Sequence, residues 1–136
     1  MRHSDINEII RKDPRYPYEA YEFVYAALEY TQKKLKRQTN RFTGEGENHV
    51  TGKELVEGIR DLALREFGLM ARTVFRFWNI NKTDDVGELV FNLIEAGLMS
   101  PNENDTRQDF QGLFDIDQAL TTGYRIEIKE DAGEIS

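Results

Sequence analysis

Thr83-Asp84-Asp85-Val86-Gly87-Glu88-Leu89-Val90-Phe91-Asn92-Leu93-Ile94-Glu95-Ala96-Gly97-Leu98 carries the clearest amphipathic pattern in the chain. Val86, Leu89, Val90, Leu93, Ile94 and Leu98 recur at the three- and four-residue spacings that gather on one side of an α-helix. Asp84, Asp85, Glu88, Asn92 and Glu95 fall on the other side, which reads as solvated. Thr83 or Asp84 can cap the start, and Gly97 can take the left-handed conformation that stops a helix. A helix so clearly two-faced needs a core to hide against, and the flanking sequence must supply it.

Upstream, Leu69 to Asn79 spells a shorter helix with Met70, Val74, Phe77 and Trp78 on one face, and Asn79-Ile80-Asn81-Lys82 breaks it. Thr51-Gly52-Lys53-Glu54 has capping-box spacing and opens a helix that turns Leu55, Ile59, Leu62 and Ala63 inward before Gly68 ends it. Residues 38–50 are polar, contain Gly44 and Gly46, and read as a loop. Residues 18–37 form the longest periodic segment, with Tyr18, Tyr21, Val24, Tyr25, Leu28 and Leu35 at helical spacing. A first short helix carries Ile6, Ile9 and Ile10 and should stop at Asp13-Pro14, because the residue before proline avoids the α region. Downstream, Asp117-Gln118-Ala119-Leu120 can make one helical turn, and Tyr124-Arg125-Ile126-Glu127-Ile128-Lys129 alternates like a half-buried strand. The expected architecture is mainly α: a bundle of about five helices with a helix-turn-helix or winged-helix-like core and a small C-terminal β element. One domain spans residues 1–129, followed by a flexible acidic tail at 130–136.

The 136 residues include no cysteine, so disulfides, thiolate metal sites and a cysteine nucleophile are excluded. The sequence shows no apolar leader and no apolar run long enough to span a bilayer, which points to the cytoplasm and away from membranes. The net charge of −7 is uneven: eight cations meet six anions in residues 1–38, seven meet ten in 39–100, and three meet nine in 101–136. An acidic protein gains little from counterion release on a polyanion, which disfavours nucleic acid as a partner.

The helices at 51–67, 69–79 and 83–97, followed by Leu98-Met99, resemble a winged-helix domain, in which a Gly-Leu pair leads the recognition helix into the first wing strand. In that frame the exposed face would be Asp84, Asp85, Glu88, Asn92 and Glu95, which suits a protein partner better than phosphate. A wider resemblance, over nearly the whole chain, is carried by Tyr21-Glu22-Phe23-Val24-Tyr25-Ala26-Ala27-Leu28-Glu29-Tyr30-Thr31-Gln32, Thr51-Gly52-Lys53-Glu54-Leu55, Phe67-Gly68-Leu69-Met70-Ala71-Arg72-Thr73-Val74-Phe75 and Gly87-Glu88-Leu89-Val90-Phe91-Asn92-Leu93-Ile94-Glu95-Ala96-Gly97-Leu98. These stretches look like a family of small uncharacterised proteins from planctomycetes and verrucomicrobia. That likeness implies one coherent module and no catalytic residue, cofactor or substrate.

Candidate chemistry is sparse. His3 and His49 have no second ligand at metal-binding spacing, and Asn102, Asn104, Asp105 and Asp109 lack the glycine and the terminal glutamate of a calcium loop. No catalytic, cofactor-binding or metal-binding residue is assigned. The candidate contact surface is Lys33, Lys34, Lys36, Arg37 and Arg41, with Arg72, Arg76 and Trp78. The first five also complement a helix C-terminus. Arg72 and Arg76 share a face and could bind an anion or pair with Glu88 or Glu95, while Trp78 could anchor a partner or fill the core. The sequence points to a non-enzymatic protein–protein interaction module with an unidentified partner. The alternative is a winged-helix-like nucleic-acid-binding or ribosome-associated protein using the basic residues.

Overall fold

A computed structural model describes residues 3–39, 50–99 and 107–121. They form α1 (His3–Lys12), α2 (Tyr18–Thr39), α3 (Gly52–Phe67), α4 (Ala71–Phe77) and α5 (Thr83–Glu95), with 3-10 turns at Gly68–Met70 and Arg107–Phe110. A last helical segment occupies 116–121, where one turn was expected. No strand occurs among the described residues. The strand expected at Tyr124–Lys129, the tail at 130–136 and Arg41 lie outside them, as does most of the 38–50 loop.

Local chemistry sets most boundaries. The Asp13 amide closes α1 onto the Ile9 carbonyl at 2.8 Å, and Pro14 has no N–H to continue. At the start of α3 the capping box is complete, with the Glu54 amide donating to Thr51 Oγ1 at 3.1 Å and the Thr51 amide to Glu54 Oε1 at 3.0 Å. Gly68 ends the helix at φ 53°.

Both α4 and α5 end in Schellman turns. Asn79 takes φ 63°, with Ile80 N bonded to the Phe75 carbonyl at 2.8 Å and Asn79 N to that of Arg76 at 3.0 Å. Gly97 takes φ 77°, with Leu98 N on the Leu93 carbonyl at 2.9 Å and Gly97 N on that of Ile94 at 3.0 Å. This closure folds the chain back over the helix end, and residues 98–99 bend instead of extending into the wing strand expected there. The cap of α5 also differs from expectation. Asp85 Oδ2 accepts from the Asn81 and Lys82 amides at 2.9 and 3.0 Å, which leaves the buried Thr83 hydroxyl to accept from the Leu113 amide at 3.1 Å.

One cluster of buried side chains takes in α1, α2, α3, α4, α5 and the 116–121 segment, from Ile6 to Leu120. Helices α2 and α3 cross closely at Gly58, where a Cβ would lie 1.8 Å from Thr31 Oγ1. Phe110 wedges between α3 and α5, its ring tip 3.0 Å from where a Cβ on Gly52 would sit. Trp78 packs against Phe23, Phe67 and Phe75, with ring centroids 5.3, 5.7 and 5.8 Å away.

Candidate interaction surface

The side of α5 that reads as solvated is in large part a polar seam. Asp13, just past α1, receives the Arg15 guanidinium in two bonds of 2.8 and 2.6 Å, and Arg15 also reaches Glu88 Oε1 at 2.9 Å. Asn92 Nδ2 donates to Asp13 Oδ2 and to the Tyr21 hydroxyl oxygen, both at 3.0 Å. The Tyr16 hydroxyl donates to Asp85 Oδ1 at 2.7 Å. Asp84 Oδ1 accepts the Gly112 amide at 3.2 Å. Sequence periodicity misses this arrangement because the cover comes from the α1–α2 connection, from Tyr21 of α2 and from the Gly112 turn, all distant from α5 in sequence.

Burial and hydrogen bonding displace the pKa values of Asp13, Tyr16 and Tyr21 in the seam. Hydrogen bonds from Arg15, helped by Asn92, keep the Asp13 carboxyl well below the usual carboxylate range. Burial, reinforced by the bond to Asp85, pushes the Tyr16 hydroxyl well above its ordinary value, and burial likewise raises Tyr21. These three groups are displaced away from neutrality, which suits a structural clasp better than proton exchange at neutral pH.

Beside the seam, α1 and α5 flank an open cleft of about 360 Å³ lined by Asp5, Glu8, Lys12, Asp13, Asn92 and Glu95, with Ile9 and Ala96. Its rim is mostly acidic. Among the described residues no group of three or more histidines and carboxylates could hold a metal ion, and no helix is long and apolar enough to cross a membrane.

The basic residues singled out by sequence do not form one surface among the described residues. Lys34 pairs with Asp61 of α3, and that hydrogen bond raises its pKa. Lys33 is exposed on α2. Lys36 and Arg37 belong to α2, but their side chains lie outside the described residues. Arg72 and Arg76 both face Asp117, at 3.7 and 3.1 Å. The partners expected for them were Glu88 and Glu95. Asp117 takes that role because the 116–121 segment lies beside α4. Trp78 is half-buried in its aromatic cluster.

The face that sequence reasoning missed lies on the other side of α4. Leu69 is 77% exposed, Met70 57% and Phe77 82%. Ala71 and Phe75 are buried, and Val74 and Trp78 pack partly against the core, so the single face expected from Met70, Val74, Phe77 and Trp78 is split. The signal was legible as excess: a seven-residue helix and its preceding turn carry more large apolar side chains than one face can bury.

No protein-family model, curated protein or solved structure matches the chain. The functional reading therefore stands on the geometry alone.

Proposed function

We propose that the chain is a non-enzymatic protein–protein interaction module of the cytoplasm that binds through the exposed side of α4. One observation carries the reading: Leu69, Met70 and Phe77, three large apolar side chains within nine residues of α4 and the turn before it, are all exposed. Single exposed apolar residues are ordinary, whereas a contiguous group on one helix face marks a contact surface. Aromatic and methionine side chains are also those enriched at the centres of interfaces. Against the nucleic-acid alternative weigh the ion pairs of Lys34, Arg72 and Arg76, since each would have to release a carboxylate before meeting phosphate.

The test is site-specific photo-cross-linking. A benzophenone amino acid in place of Phe77 should yield discrete protein adducts that persist after nuclease treatment. The same group in place of Glu57, exposed on α3, should yield few. Equal labelling at both positions, or adducts that disappear with nuclease, would reject the reading.

A further inference from the structure

We infer that Arg72 and Arg76 of α4 form a site for a doubly charged phosphate group, free or carried on a phosphorylated side chain, and that Asp117 occupies this site from within the chain. The two arginines lie one helical turn apart, and a single carboxylate on the 116–121 segment serves them both. Arg76 Nη2 donates to Asp117 Oδ2 at 3.1 Å. Arg72 Nε lies 3.7 Å from Oδ1, beyond hydrogen-bond reach. Among the described residues it is the one buried side-chain nitrogen or oxygen without a hydrogen-bond partner. A buried donor left unmatched is costly, so Asp117 fits the pair incompletely.

Charge and shape name the ligand. Two guanidinium groups against one carboxylate leave a surplus of one positive charge. Inorganic phosphate or a phosphate monoester brings close to two negative charges at neutral pH, and three acceptor oxygens that can bond both guanidinia at once. A phosphodiester carries a single charge, as Asp117 does, and gains none by the exchange, which separates this ligand from nucleic acid. The net charge of −7 opposes any anion from afar, but physiological salt screens it beyond about 8 Å, so the nearby pair decides. Nor does the exchange require unfolding. Asp117 is half-exposed, and Ile116 and Leu120 anchor its segment in the core, so the carboxylate can rotate into water while the segment stays. Leu69, Met70 and Phe77 take no part, and the site stands or falls apart from the reading of their face.

The test is a titration of the full chain at constant ionic strength, read from the proton–nitrogen NMR signals of the arginine Nε–H groups. Inorganic phosphate and N-acetyl-phosphoserine amide should each shift the Arg72 and Arg76 signals to saturation in the millimolar range, as fits two half-exposed cations. Dimethyl phosphate, a diester, should leave them in place. Asp117→Asn should raise the phosphate affinity roughly tenfold by removing the competing charge. Arg72→Gln or Arg76→Gln should lower it roughly tenfold or more, with helical content unchanged. Tighter binding of the phosphoserine amide than of inorganic phosphate assigns the site to a phosphorylated side chain, and weaker binding assigns it to free phosphate. The titration of the parent chain decides even where a variant folds poorly. No saturable shift in either the parent chain or Asp117→Asn, an equal response to dimethyl phosphate, or an affinity unmoved by Asp117→Asn overturns the inference.

Discussion

The Tyr16 hydroxyl and the Asp85 carboxylate, 69 residues apart in sequence, meet at 2.7 Å and join the α1–α2 connection to the first turn of α5. The same carboxylate caps that turn through the Asn81 and Lys82 amides, so one side chain serves both tertiary contact and helix start. Tyr16→Phe should therefore cost about 1 kcal/mol, and Asp85→Ala about 3 kcal/mol because the capping bonds go as well. Urea denaturation at neutral pH reads both values, and equal losses would contradict the double role.

Alkaline titration probes the same hydroxyl. The Tyr16 pKa is raised in the folded state, so its contribution is complete below the unfolded value near about 10 and falls as pH rises beyond it. Stability should decline more gently above pH ~10 in Tyr16→Phe than in the parent chain. An unchanged slope would mean that the hydroxyl ionises as freely in the fold as in the unfolded chain.

Acid should act through Asp13. Its folded pKa is lowered, so the stabilisation is present above the unfolded value near about 4 and is lost as pH falls below it. Asp13→Asn should cost about 1–2 kcal/mol at pH 7, the half-exposed Arg15 limiting the figure. The gap to the parent chain should narrow on acidification, and a gap independent of pH would remove the ion pair from the account.

At the α2–α3 crossing, Gly58→Ala would drive a methyl into the buried Thr31 hydroxyl. The expected loss is about 2–3 kcal/mol, despite the better helix propensity of alanine. Adding Thr31→Ala should recover part of it, and the thermal midpoints of the two single variants and the double variant give the coupling.

Asn79 holds a left-handed backbone and donates from Nδ2 to the Arg15 carbonyl at 3.1 Å. Asn79→Gly keeps the conformation and should change stability by roughly 0.5 kcal/mol or less. Asn79→Ala should cost about 1–2 kcal/mol. Similar losses for glycine and alanine would place the weight on the side-chain bond, which both substitutions remove.

Helix positions were readable because caps and breakers act within a few residues: Thr51 with Glu54, Pro14 after Asp13, and Gly97 after α5 all act where the sequence places them. Partnerships across the chain were not. Asp84, Asp85, Glu88 and Asn92 have the spacing of a wet surface, and nothing local announces that Tyr16, Tyr21, Arg15 and the Gly112 turn will cover them. The resemblance to a winged helix failed to anticipate the bend after Leu98 because a Gly-Leu pair serves a Schellman turn as well as a wing. The α4 face was half legible: Met70 and Phe77 were read as facing one way, but burial of Phe75 and Ala71 decides which way is in.

The wedge of Phe110 over Gly52 bears on the order in which substitutions can accumulate. While phenylalanine occupies position 110, an alanine at 52 presses on its ring at 3.0 Å and is penalised. Once a shorter side chain such as leucine stands at 110, that close contact is relieved and alanine regains its helix propensity over glycine. Its effect thus depends on the residue opposite, and the path that alters position 110 first avoids the crowded pair of Ala at 52 with Phe at 110.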